Sequence, residues 1–309
     1  MAGNVPYGTL TGTSTISNLV QTAYDQYVRM ALRSIPVMRA LADVKPVQQA
    51  MPGSSVVFSI YSDLAQATST LTESSDVSSI ALGNPNQITV TLQEYGSAVT
   101  TTKKLNLTSF NDVDAALADI IAYNAADSID AVVAGVLTSG TNIIYGGTAT
   151  NNAGITAGGT ISVSDIRAAV TNLRSNKALP RIGELYAAYL HPKQTADLRA
   201  ETGTGGFQDL SKYVDRTPFV AGAVGVLEGA FIVETPRVPY TSNGTTNVYS
   251  AIIAGREALA EAQGQDISTV IGPQIDALRR FHTIGWYYFG GWNILRTAAL
   301  YNIQTATAY

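Results

Sequence analysis

The sequence contains no cysteine and only two histidines in 309 residues. The first absence excludes disulfides, thiolate metal sites and cysteine nucleophiles. The second leaves His191 and His282 isolated, without the cluster of His, Cys or carboxylates that a metal site needs, so both are assigned structural roles and no cofactor is expected. HExxH, Walker A and GxSxG patterns are missing as well. No window approaches 18 uninterrupted apolar residues, so no membrane span is expected. The N-terminus has neither a basic start nor an apolar h-region, which argues against a signal peptide. The net charge of −4 provides no global basic footprint for nucleic acid.

Charge is scarce throughout, at 14% of residues, beside 46% hydrophobic content and a mean hydropathy of +0.11. A lone soluble monomer usually carries a more charged surface. Thr, Ser, Asn, Gly and 16 Tyr take the place of Lys and Glu. Arg outnumbers Lys 13 to 6, the direction favoured at subunit interfaces, although genomic base composition favours Arg in the same way.

The most pointed absence lies between Pro46 and Thr102. These 57 residues hold no Lys or Arg, and their only charges are Asp63, Glu73, Asp76 and Glu94. Val56, Phe58 and Ile60 alternate with Val57, Ser59 and Tyr61. On return, Ile88, Val90 and Leu92 alternate with Thr89, Thr91 and Gln93. Period-two alternation on both sides of a Ser/Thr/Ala-rich stretch from Leu64 to Asn86 predicts a long β-hairpin. A two-stranded hairpin is marginal alone in water, and open edges with few charges invite pairing with other chains. The segment therefore predicts a protein covered by its neighbours.

Elsewhere the pattern is mixed. Residues 1–15 read as an extended arm. Ile16, Leu19, Val20, Ala23, Tyr27, Ala31 and Ile35 predict a helix ending before Pro36, with Arg29, Arg33 and Arg39 at and beyond its C-terminal end, where the dipole favours them. A connector follows through Pro52-Gly53. Strand character after the hairpin reaches Lys103-Lys104. Asn111 or Asp112 caps a predicted long helix to Leu137, with Val113, Leu117, Ile120, Ile121, Ile129, Val132, Val133 and Val136 as its apolar stripe. Residues to Gly159 read as a loop. An α/β pattern follows: a helix capped by Ser164 or Asp165, a strand at Leu185–Leu190, and a helix opened by Pro192. Residues 203–225 are Gly-rich and irregular. Strands are expected at Gly229–Val233 and Val248–Ala254, separated by a turn at Asn243-Gly244, and a strand-like aromatic block runs from Ile267 to Ile303.

Three patterns resemble chemistry without supplying it. Asp112-Val113-Asp114 is a DxD pair, but at a helix start it reads as a cap plus a dipole-favoured acid. Asp127 and Asp130 share a helical face and could act as an acid–base pair; a solvated or inter-subunit face is the simpler reading. Trp286 to Trp292 could stack bases, but it contains no basic residue, and core or interface packing accounts for it more simply.

The order of elements resembles the major capsid proteins of tailed bacteriophages with the HK97 fold. The stretch Ile275-Asp276-Ala277-Leu278-Arg279-Arg280-Phe281-His282-Thr283-Ile284-Gly285-Trp286 resembles the C-terminal stretch of the N4-like capsid subgroup. The resemblance implies an α+β capsid fold, divided into an N-terminal arm and helix (1–48), an E-loop hairpin (49–104), a P-domain spine helix (105–140), an A-domain (141–264) and C-terminal strands returning to the P-domain (265–309). It implies a structural protein without enzymatic activity, assembling as homo-pentamers and homo-hexamers in the host cytoplasm into a virion shell. The implied partners are portal, scaffold and decoration proteins and non-specifically held double-stranded DNA, with no membrane. Some relatives crosslink an E-loop Lys to a neighbour's Asn; the hairpin here has no Lys, which disfavours that route. Asp63, Glu73 and Asp76 are the expected inter-subunit acids, with Arg29, Arg33, Arg279 and Arg280 as their basic counterparts, because the hairpin carries one sign of charge. The alternatives are an encapsulin-like nanocompartment shell, a soluble α/β hydrolase or transferase, and a secreted adhesin or surface-layer protein.

Overall fold

A computed structural model describes residues 33–46, 54–71, 73–74, 76–77, 79–108, 113–202, 225–272, 278 and 280–309. The expected arm, almost all of the expected first helix, the Gly-rich stretch from 203 to 224, and the cap residues Asn111 and Asp112 lie outside these. Two sheets and one long helix organise the described chain. The first sheet orders its strands β1 (Ala42–Pro46), β11 (Leu259–Ile271), β12 (Phe281–Ile294) and β4 (Gln93–Thr102). The second has seven strands. Its main path runs β5 (Ile143–Tyr145), β13 (Leu300–Thr305), β10 (Asn247–Ala254), β6 (Tyr186–Leu190), β8 (Ala230–Glu234) and β7 (Val226–Leu227), and β9 (Tyr240–Ser242) pairs β10 off that path.

The hairpin forms where alternation predicts it. β2 (Ser55–Ile60) and β3 (Asn86–Thr91) pair antiparallel, with Val56 opposite Val90 and Phe58 opposite Ile88. Val56, Phe58, Ile60 and Ile88 pack with buried Val90, Leu92 and Ala262. The root is tied down by Leu92 N donating to the Ser54 carbonyl at 2.9 Å and by Asn293 Nδ2 donating to the Thr89 carbonyl at 2.9 Å. There β3 crosses β12 at close range. A Cβ at Gly291 would overlap the backbone oxygen of Thr91, and a glycine inside a strand often marks such an approach. Gly291→Ala is expected to destabilise the chain by about 1–3 kcal/mol, read as a fall in the urea midpoint at unchanged slope. An unchanged midpoint would mean that the crossing is loose.

The long helix forms as α2 (Val113–Thr138), 26 residues. Ile121, Ala125, Ile129, Val133 and Leu137 recur every four residues and are all buried. They join Leu259, Ile284, Trp286, Tyr288 and Trp292 of the first sheet and Ala187, Ile252 and Ala254 of the second in one core, so α2 spans both sheets. Each fully buried Ile or Leu contributes roughly 1.5–3 kcal/mol. Ile120, expected in the stripe, is exposed instead. By length and composition Leu117–Thr138 could also cross a membrane; here one face of it, from Ile121 to Leu137, is built into the core.

Several expectations need correction. Residues 33–37 are not helical, and a 3₁₀ turn follows at Met38–Leu41. The expected connector contains a strand, β1, which gains a parallel partner in β11. The strand expected to reach Lys103-Lys104 ends at Thr102, and Lys103–Thr108 forms a short helix, α1. The expected loop before Gly159 contains β5, parallel to β13. α3 (Val163–Ser175) starts from Ser162, not Ser164 or Asp165: Ser162 Oγ accepts from Asp165 N at 3.3 Å, and the Asp165 carboxylate accepts from Ser162 N at 2.9 Å. Pro192 does open α4 (Pro192–Ala200) at its first turn.

Candidate assembly surface

The chemistry-bearing residues sort into buried anchors and an exposed hairpin tip. The first anchor gathers around Asp130, which is 1% exposed. Its Oδ1 accepts the backbone N–H of Met38 at 2.6 Å and of Arg39 at 3.3 Å, satisfying donors at the start of the 3₁₀ turn. Its Oδ2 accepts from Arg237 Nε at 2.6 Å. Arg237 also binds the Asp127 carboxylate, and donates to the Asp127 carbonyl at 2.9 Å and to Ser34 Oγ at 3.3 Å. Burial works against the Arg237 charge, but its bonds to Asp127 and Asp130 outweigh that and raise its pKa. Asp130 is therefore part of an internal clamp rather than of the solvated or inter-subunit face expected, whereas the Asp127 side chain stays 43% exposed at its edge. Both acids are held by a cation, which leaves neither free to act as a general base.

The second anchor is Glu261, fully buried on β11. It accepts from Arg39 Nη2 at 2.6 Å and Nε at 3.1 Å, and from the Tyr288 hydroxyl at 2.8 Å. Burial first, and Glu261 next, push the Tyr288 phenol well above its usual range. Arg39 is thus a partner of the first sheet, not a charge at a helix end. Tyr288 stacks on Trp292 at 5.2 Å, and Trp286 Nε1 donates to Asn124 at 2.9 Å, so Trp286, Tyr288 and Trp292 are committed to the core. No sequence motif points to Arg237 or Glu261. The available signal for Arg237 is its place between Pro236 and Pro239, which stiffen the segment that delivers it.

His191 is the N-cap of α4: its Nδ1 accepts from Lys193 N at 3.2 Å. Burial, then the nearby Lys193 charge, lower its pKa. His282 lies in β12 opposite Thr101. The side chains of Asp112 and Asp114 lie outside the described residues. Among the described residues no group of three or more His, Asp or Glu is placed to hold a metal ion.

The hairpin tip is different in kind. Every described side chain from Tyr61 to Asn84 is exposed, and no strand forms between Ile60 and Asn86 among the described residues. Asp63, Glu73 and Asp76 all lie on this exposed segment. Leu71 is 78% exposed and Ile80 68%, with Leu64, Val77 and Leu82 also open. Scattered exposed apolar residues are ordinary, but a long segment carrying this many suits a partner surface. Of the expected basic counterparts, Arg33 pairs with Asp119 of the same chain at 3.0 Å, and Arg280 lies over the Phe281 ring at 5.5 Å. Arg29 and Arg279 lie outside the described residues. Within one chain, then, none of the described pairs joins the tip acids to these arginines.

The same architecture recurs in solved phage shells. The capsid protein of cyanophage P-SCSP1u superposes with a TM-score of 0.73 at 17% identity, over 94% of each chain. The capsid of Ralstonia phage GP4 gives 0.71 at 15% identity, over 97% of this chain and 98% of that one. The head of Helicobacter pylori bacteriophage KHP40 gives 0.70 at 13% identity, over 98% and 99%. At these identities the likeness establishes the α+β fold of the HK97 type. No curated protein matches the sequence. Residues 13–297, nearly the whole chain, match the family described as phage capsid protein, and with a fold shared end to end with phage heads, the chain belongs to that family.

Proposed function

We propose that the chain is the repeating subunit of an icosahedral phage head, associating into pentamers and hexamers around double-stranded DNA. The observation that carries this reading is a hairpin rooted firmly on β12 whose tip exposes its apolar residues and acids alike. Reaching a neighbour from a fixed root turns many weak contacts into collective stability, as linked sites gain avidity. In this reading the tip acids Asp63, Glu73 and Asp76 meet basic residues of an adjacent subunit. Residues 1–48 serve as arm, 49–104 as the overlapping loop, 105–140 as spine, 141–264 as axial domain and 265–309 as returning strands. Assembly takes place in the host cytoplasm with portal, scaffold and decoration proteins. DNA contact is weak and independent of sequence, in keeping with the negative net charge. Placement in the N4-like subgroup rests on Thr283-Ile284-Gly285-Trp286 and its flanks.

Negative-stain electron microscopy of the high-mass fraction, with and without a co-expressed scaffold candidate, tests the reading. Closed shells or rings of five and six subunits are expected. A monodisperse small particle under both conditions would overturn it. Where shells form, neighbouring portal and terminase genes distinguish a head from a nanocompartment shell, whose gene would sit beside a cargo enzyme.

A further inference from the structure

A cleft of about 280 Å³ opens between the C-terminal end of α3 and the turn joining β10 to β11. Lys177, Arg256 and Arg296 line it, together with one acid, Glu257, and the apolar side chain of Leu179. All five are exposed. Arg296 pairs with Glu257 at 2.7 Å, whereas among the described residues Lys177 and Arg256 have no ion-pair partner. Three cations against one acid leave a local charge of +2 on a chain whose net charge is −4. The basic stretch continues: Lys45 lies in an adjoining recess that shares Glu257 and Arg296.

The backbone marks the same place. Lys177 and Glu257 have φ of 56° and 57°, the left-handed region. Glycine is the low-cost residue there, particularly just past a helix end. Both positions carry a long charged side chain instead, and both line the cleft.

Resting on the shell reading above, we infer that this cleft receives the hairpin tip of a second copy of the chain. The tip carries Asp63, Glu73 and Asp76 and no basic residue, so its charge complements that of the cleft. Its exposed Leu71, Val77 and Ile80 have an apolar counterpart in Leu179, itself 61% exposed. Nucleic acid is the less suited occupant, because it has no aliphatic side chain to cover Leu179.

The absence of cysteine makes the test clean. Leu179→Cys is combined in turn with Asp63→Cys, Glu73→Cys and Asp76→Cys, and assembled shells are oxidised and run on non-reducing gels. At least one pair is expected to give a ladder of linked subunits, and none of the single-cysteine chains should. In parallel, Lys177→Glu with Arg256→Glu is expected to lower shell yield at least ~tenfold while leaving the thermal midpoint of the unassembled chain unchanged. Reversing Asp63, Glu73 and Asp76 to Lys in that background should restore assembly. Intact shells without a ladder from any of the three pairs overturn the proposal and leave the shell reading standing, as does a cleft variant that assembles normally but holds less DNA. If the unaltered chain forms no shells, both fail together.

Discussion

Replacing Arg237 with alanine is expected to lower the stability of the unassembled chain by about 3–5 kcal/mol, the usual cost of removing one partner from a buried ion pair. Asp130 would lose its counter-charge in a nearly dry site, left with only the Met38 and Arg39 N–H groups as partners. Asp130→Asn should cost less, because the amide oxygen can still accept those two N–H groups while Arg237 retains Asp127. Combining the two changes should recover part of the Arg237→Ala loss, since the stranded charge disappears; the two sites touch, so their effects are not additive. Urea unfolding of the three variants checks this. A cost below about 1 kcal/mol for Arg237→Ala, the range of an exposed pair, would mean that water reaches the clamp and that it does not hold α2 to the 3₁₀ turn.

This clamp also marks the limit of what sequence could disclose. Local periodicity located α2 and the hairpin, because apolar residues at helical steps and strict alternation each report on one element alone. The order of those elements was then enough to suggest the capsid fold. Pairings across the chain left no such trace. Arg237 lies 107 residues from Asp130, and Arg39 lies 222 from Glu261. Glu261 sits in Leu259-Ala260-Glu261-Ala262, which has no strand alternation because β11 is buried on both faces at that end. The short strands β5, β7 and β9, of three, two and three residues, are below the length at which a period can be read. They exist because a longer neighbour supplies their hydrogen bonds. For the assembly surface, the one-signed charge of the hairpin points to the tip acids, but charge alone points to Arg33 and Arg280, and both have contacts within the chain.

Shortening the hairpin should separate folding from assembly. Replacing residues 62–85 with a brief Asn/Gly/Ser turn keeps β2 and β3 in register from Ile60–Asn86 down to Ser55–Thr91. It also keeps the root bonds of Leu92 and Asn293. Apart from half-buried Pro85, the described side chains removed are exposed, so the unassembled chain should change in stability by no more than about 0.5 kcal/mol. Assembly should respond very differently. If each subunit places one tip on a neighbour, the loss recurs at every position of the lattice, and each ~1.4 kcal/mol lost per subunit raises the concentration needed for assembly about tenfold. The shortened chain is therefore expected to remain folded and to form no shells at concentrations where the full chain does, as measured by light scattering across a dilution series. Shells forming at the same threshold would show that the tip lies over its neighbours without holding them, and the exposed apolar residues from Leu64 to Leu82 would then need another partner.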